Sequence, residues 1–170
     1  MIFISLGPEC YSARRRKYLY KVMSPEYKTC PFDLMFSNLN GIIKCFEDDF
    51  IHFTNPEYLT YKYDHPANDD NLIINSRYNF NFNHETPGHA DLHLNAKWPG
   101  KDKYHFTDNN LKMFIERYDR RIKNLLDYMN NNNNIVLIIK KDNETKRLLP
   151  KLREVLKKKY PNKNIMYDLF

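Results

Sequence analysis

The sequence predicts a single α/β domain over residues 1–170, with a mainly parallel sheet flanked by helices and a long irregular section in the middle. Three observations predict it. A short apolar run at the N-terminus passes through Gly7-Pro8 into a helical pattern. The last third reads as helix, strand, helix, strand. The run Ile135–Ile139 is continuously apolar, as expected of a parallel strand covered on both faces.

The elements follow in order. Met1–Leu6 is a buried strand that ends in the tight Gly7-Pro8 loop. Cys10–Val22 is helical, with Ala13, Tyr18 and Val22 near one face and Arg14–Lys17 largely elsewhere. Pro25 and Pro31 punctuate its exit. Leu39, Ile42, Ile43 and Phe46 fall at the i, i+3, i+4, i+7 spacing of a second helix, closed by Asp48-Asp49-Phe50. From Thr54 to Tyr104 the chain is rich in Asn, Asp, Pro and Tyr. Within it Tyr78–Phe82, with Tyr78, Phe80 and Phe82 on one face, and His89–His93 alternate like strands, and the remainder reads as an ordered loop system. Thr107 is the expected N-cap of a long amphipathic helix whose stripe is Leu111, Phe114, Ile115, Tyr118, Ile122, Leu125, Leu126 and Met129. Asn130–Asn134 is the turn before the apolar strand. Pro150–Lys159 reads as a helix with Pro150 in its first turn and Leu152, Val155 and Leu156 inward. Asn164–Leu169 is the last strand.

Composition bounds the function. The chain has 170 residues with 42% hydrophobic and 28% charged residues, the profile of a folded domain and not of a disordered one. No apolar run reaches the ~18 residues of a membrane helix, and a strand starting at Ile2 leaves no room for a signal peptide. Three cysteines do not suggest a disulfide scaffold. An intracellular, cytoplasmic protein is the expectation. The 21 Asn, 18 Lys and 13 Tyr, against 4 Gly, 4 Ala and 3 Val, follow A/T-rich codons. Much of the net charge of +6 is therefore coding bias, yet it is unevenly spread. Residues 1–100 carry 10 basic and 12 acidic groups, whereas residues 101–163 carry 17 basic and 8 acidic. A basic section of that kind attracts acidic partners or nucleic acid.

Cys10 is the residue that points to chemistry. It follows a strand and a tight turn and opens a helix, where exposed N–H groups and the helix dipole stabilise a thiolate and could hold an oxyanion. The Arg14–Arg16 cluster one turn on adds positive charge. The alternative is a small packed residue at a tight junction.

Ser5-Leu6-Gly7-x-x-Cys10-x-x-Ala13, followed about twenty residues later by Pro31-Phe32-Asp33, resembles the papain-like cysteine peptidases of large DNA viruses and bacteria. Further matches run in the same order: Asp49-Phe50 with Phe53, Phe82-Asn83-His84-Glu85, the helix carrying Arg120-Arg121-Ile122, and the apolar strand after it. Glu85 stands where the family has Asp, Leu34 replaces a Trp, and the C-terminal part is shorter than the family's usual extent. A viral source agrees with the codon usage. The resemblance implies Cys10 as nucleophile and His84 as its base. Asp33 could orient the histidine or bind substrate, with a turn-capping role as its alternative, and Glu85 and Asp91 are further candidates for the third group.

Rival constellations are weaker. On a strand, His89, Asp91 and His93 would share a face and could bind a metal, while a polar surface hairpin explains them equally well. Cys30 and Cys45 read as packing residues, and no CxxC, P-loop or GxGxxG occurs. The basic runs Arg14–Lys17 and Lys157–Lys159 are explained as solvated helix faces, and nucleic-acid binding ranks below that. The leading reading is a Cys10–His84 thiol hydrolase acting on a peptide or protein, with no cofactor, no metal and no membrane. The second is an inert interaction module that binds a host protein or nucleic acid through its basic C-terminal section.

Overall fold

In the computed structural model, residues 1–8, 11–23, 28–65, 70–85 and 106–170 are described. Their elements, in chain order, are β1 (Ile2–Ser5), α1 (Tyr11–Met23), a 3-10 turn at Pro31–Leu34, α2 (Leu39–Glu47), a 3-10 turn at Pro56–Tyr58, β2 (Leu59–His65), β3 (Asp70–Asn75), β4 (Phe80–Asn81), α3 (Asp108–Asn131), β5 (Asn134–Ile139), α4 (Asn143–Lys159) and β6 (Asn164–Leu169).

The continuous apolar run becomes the centre of a parallel sheet ordered β1-β5-β6. Ile2 to Ser5 pair with Ile135 to Ile138, and Asn134 to Ile139 pair with Asn164 to Leu169. Ile135–Ile139 are all buried, which is why alternation is absent from that strand. Its two faces pack differently. Ile135, Leu137 and Ile139 join the main core, whereas Val136 and Ile138 meet Phe3 and Leu19 of α1. At the carboxyl edge, Leu6 N donates to Ile138 O (3.0 Å) and Lys140 N to Gly7 O (3.2 Å). Gly7 has φ 76°, a left-handed conformation that glycine adopts without steric cost, and the Gly7–Pro8 bond is cis.

A second sheet, ordered β2-β3-β4, is antiparallel and occupies part of the stretch expected to be loop. Leu59 pairs with Asn75 and His65 with Asp70, so Leu59–His65 and Asp70–Asn75 are two paired strands. Asn and Asp disfavour strands in isolation, and here cross-strand pairing and the burial of Leu59 and Ile73 override that preference. The expected face of Tyr78, Phe80 and Phe82 is buried, with Asn79 and Asn81 exposed between them. Asn75 fixes the turn before it. Its Nδ2 donates to His52 O and Phe53 O (2.8 and 3.0 Å), and its Oδ1 accepts from Tyr78 N (3.0 Å). The other expected strand, His89–His93, lies outside the described residues.

Two helix starts follow from capping chemistry, and a third does not. Asn38 Oδ1 accepts from Gly41 N (2.7 Å) and starts α2 where the periodicity placed it. Asp142 Oδ1 accepts from Thr145 N (2.7 Å) and starts α4 seven residues before Pro150. The expectation that Pro150 sits in the first turn is thus corrected. Proline inside a helix costs about 3 kcal/mol through its missing N–H, and Leu149, Leu152 and Leu156, all buried, offset it. Thr107 precedes α3 as expected but makes no side-chain cap bond. Asn109, Asn110 and Leu111 instead take left-handed φ values of 50–62°, and the regular helix starts after them. Its stripe is buried or half-buried throughout, as the spacing required.

Both sheets feed one hydrophobic core. Phe53 is its hub, with its ring 5.7–6.2 Å from those of Phe32, Phe50, Tyr78, Phe80, Phe82 and Tyr118. α2 packs on α4, and Gly41 of α2 meets the second sheet so closely that an added Cβ would lie 2.4 Å from Tyr78 O and 2.6 Å from the Phe80 ring. Two effects oppose each other at this position. Helix propensity favours alanine over glycine by about 1 kcal/mol, while forcing a methyl against a backbone carbonyl costs about 1–3 kcal/mol. The clash wins because a carbonyl in a turn held by Asn75 cannot retreat. Gly41→Ala is therefore expected to lower the melting temperature by several degrees, read by thermal circular dichroism; an unchanged or higher value would show that α2 does not press on the second sheet.

Candidate functional site

The nucleophile candidate, Cys10, lies outside the described residues, and so do His89, Asp91 and His93. The chain on either side of Cys10 is defined. Gly7 O accepts from both Lys140 N and Ser12 Oγ (3.2 and 2.9 Å), so the turn after β1 is tied to β5 and to α1. Tyr11 is the first residue of α1 and is half exposed. The Arg14 guanidinium lies 5.9 Å and the Lys140 ammonium 5.6 Å from its ring centre. Positive charge therefore gathers where α1 begins, at the carboxyl edge of the parallel sheet, the place where α/β folds of this kind bind ligands.

The arginine run does not behave as one solvated face. Arg14 is exposed, and Arg15 forms a two-pronged pair with Asp168 (2.5 and 3.0 Å). Arg16 is fully buried. Its Nε donates to Phe3 O (2.7 Å), its Nη1 to Asp33 Oδ2 (2.7 Å) and its Nη2 to Lys28 O (3.0 Å). Only the outer two arginines fit the expectation of a surface helix face, and Arg16 corrects it. The signal was available, since Arg16 sits three residues after the buried Ala13, on the same face of the helix.

Asp33 has no exposed surface. Besides Arg16, its Oδ2 accepts from Cys30 N (2.7 Å), which closes the turn at Pro31–Leu34 and gives the capping role that a turn aspartate suggests. Cys30 is buried beside it, and desolvation pushes the thiol up to about 12. Burial likewise holds the Cys45 thiol well above its ordinary value. Both are packing residues, as expected from their neighbours.

His84 is half-buried in the turn after β4, and Glu85 next to it anchors that turn. Glu85 N donates to Phe82 O (3.2 Å). Glu85 Oε1 accepts from Tyr118 Oη (3.0 Å) and Arg121 Nη1 (2.7 Å), and Oε2 pairs with Arg117 Nε at 2.8 Å, off the N–H direction. Burial opposes the Arg121 charge, but the fields of Tyr118, Glu85 and Asp33 together raise its pKa. Desolvation pushes the Tyr118 phenol up and lowers Arg117, despite the attraction of Glu85. The field of the Asp33 carboxylate adds to that of Glu85 in raising Arg121. Arg121 was legible in hindsight: it lies three residues after Tyr118 and four before Leu125, inside the apolar stripe.

Among the described residues no group of three or more His, Cys, Asp or Glu could hold a metal, and no helix is long and apolar enough to cross a membrane. Removing one partner of a buried pair leaves the other charge unpaired and costs about 3–5 kcal/mol, whereas replacing both by apolar groups is far milder. Arg16→Met is thus expected to destabilise the protein by roughly that amount in urea unfolding, and Arg16→Met/Asp33→Leu by less than the single change. A double variant as weak as the sum of its parts would show that the two residues do not act as a pair.

The profile of the family described as putative papain-like cysteine peptidase (DUF1796) matches residues 1–167. No curated protein and no solved structure matches the chain. Nearly the whole sequence is covered, including β1 with its Gly7-Pro8 turn, the Asp33 and Glu85 anchors and the Arg121 helix, and the chain therefore belongs to the putative papain-like cysteine peptidase family.

Proposed function

We propose that the protein is a thiol hydrolase acting on peptide or protein substrates, with Cys10 as nucleophile and His84 as its base. The observation that carries this reading is the start of α1. In a chain of this family, Cys10 immediately precedes the first helical residue, after a turn tied to β5 at the carboxyl edge of the sheet, with Arg14 and Lys140 beside Tyr11. Helix-terminal N–H groups and nearby cations lower a thiol pKa, and the same N–H groups suit an oxyanion.

In this mechanism His84 takes the Cys10 proton as Sγ attacks the acyl carbon. The tetrahedral oxyanion rests on N–H groups of the first turn of α1. Collapse breaks the C–N bond, His84 delivers the proton to the leaving amine, and water then hydrolyses the thioester with His84 as base. Asp33 and Glu85 serve as positioning residues: Asp33 holds α1 through Arg16, and Glu85 fixes the turn that carries His84 through Arg121 and Tyr118. A viral source agrees with the A/T-rich residue usage.

A second reading, an inert interaction module, has one observation in its favour. Phe32, Asp33, Phe50, Phe53, Phe82, Glu85 and Arg121, which carry much of the family's pattern, are buried core or network residues, so the pattern describes a scaffold as much as a catalyst. Iodoacetamide separates the readings. Cys30 and Cys45 are buried, and their raised pKa values leave almost no thiolate at pH 7, so they should react slowly. Cys10 is expected to label first, at least about tenfold faster, and Cys10→Ala to abolish hydrolysis of a casein-derived peptide mixture. Labelling of Cys10 no faster than the buried pair removes the thiolate and the mechanism with it.

A further inference from the structure

Several buried and surface cations of this protein have ion-pair partners. Arg15 pairs with Asp168, Arg16 with Asp33, Arg117 and Arg121 with Glu85, Lys151 with Glu47, and Lys159 with Asp49. One groove gathers three cations outside these pairs. It has a volume of about 490 Å³ and lies where the first half of α2, the β3–β4 turn and the first turns of α4 meet. Lys44, Arg77 and Arg147 line it, and among the described residues none of the three has an ion-pair partner. Its one carboxylate, Glu144, accepts from Leu39 N (3.2 Å) and so is turned to the start of α2.

We infer that this groove binds an acidic polypeptide segment. Two guanidinium groups offer planar forks that match carboxylates, and each keeps its charge at any physiological pH. Apart from Leu148, the remaining wall is largely polar. The Asn38 side chain is spent on Gly41 N, Tyr78 O and Asn79 O, which makes that wall rigid, while Asn40 is exposed and offers amide donors and an acceptor to a peptide backbone. Other anions fit less well. The only aromatic at the groove, Tyr78, has its ring buried in the core and its hydroxyl on Asp48, so no platform is left on which a nucleobase could stack. No glycine lines the groove to let backbone approach a phosphate. An apolar ligand would leave three cations desolvated and unpaired.

The groove's position gives the segment a use. α4 begins at the carboxyl edge of the parallel sheet, since it follows β5, and β1 delivers Gly7-Pro8 to that same edge. Thr145 Oγ1 donates to Lys140 O, and Lys140 N to Gly7 O, so the first turn of α4 is linked by two hydrogen bonds to the turn before Cys10. The helix turn that lines the groove is thus connected to the turn after β1, and a partner binds there whether or not Cys10 is catalytic.

Fluorescence anisotropy tests this with a fluorescein-labelled glutamate-rich peptide and its glutamine twin at physiological ionic strength. The wild-type protein should favour the glutamate peptide by roughly tenfold or more, and Arg77→Glu/Arg147→Glu should remove that preference. Arg77→Gln/Arg147→Gln, milder for the fold, should weaken binding several-fold, with an unchanged circular dichroism spectrum. Lys157→Glu/Lys158→Glu, an equal charge change on the exposed last turn of α4, should leave the affinity within about twofold. Equal losses in both charge reversals would overturn the groove in favour of non-specific attraction. Displacement of the peptide by low-millimolar inorganic phosphate, or tighter binding of a single-stranded oligonucleotide through Arg77 and Arg147, would overturn the peptide as its ligand.

Discussion

The fully buried Arg16–Asp33 pair is the contact on which the arrangement of the first thirty-odd residues depends. A guanidinium taken out of water must have its N–H groups satisfied, and Arg16 meets that demand with three acceptors from three places: β1 at Phe3, the segment at Lys28 and the turn at Asp33. Its position is therefore overdetermined, and α1 is held in one rotation against the sheet. Ala13 and Leu19 add apolar contacts to this polar anchor. Asp33 in turn fixes the Cys30 amide, so one carboxylate sets both the helix and the following turn.

A second buried pair repeats the device at the turn after β4. Glu85 gathers Tyr118, Arg121 and Arg117 of α3 onto the turn after β4, next to His84. The Phe53-centred aromatic cluster lies between these charges and the second sheet, and Tyr118 belongs to both, with its ring 5.7 Å from Phe53 and its hydroxyl on Glu85. Low dielectric strengthens each of these bonds and makes each expensive to break. The turns at Pro31–Leu34 and after β4 are thus positioned by charge, whereas the Gly7-Pro8 turn is held by the hydrogen bonds of Lys140 N and Ser12 Oγ to Gly7 O.

How much of this was legible in the sequence differs by element. Periodicity found α2, β5 and the body of α3 because each buries a stripe or a run set by its own residues, as with Leu39, Ile42, Ile43 and Phe46, and β6 was found although its residues are only half-buried or exposed. It did not find β2 and β3, where Asn and Asp are strand-like only because of the partner strand. It placed the start of α4 at Pro150 because proline favours first turns, whereas the cap at Asp142 decides the matter. For the site, Cys10, His84 and Asp33 stood out by chemistry and by family resemblance, but burial of Arg16 and Arg121 did not, since a charged side chain reads as surface until its partner is known. Asp33 and Glu85 became those partners only through contacts 17 and 36 residues away in the chain. The Arg77–Arg147 groove has no local signal at all, being assembled from three separated segments.

The account joins a family-wide scaffold to one chemical claim, that an imidazole at position 84 sustains a thiolate at position 10. The pH dependence of Cys10 alkylation tests it most directly, followed by mass spectrometry in the wild-type protein and in His84→Gln. The account predicts a wild-type thiol that titrates well below the ordinary value of about 8.5, and a return toward that value in the variant. Identical titrations near 8.5 in both proteins would contradict it.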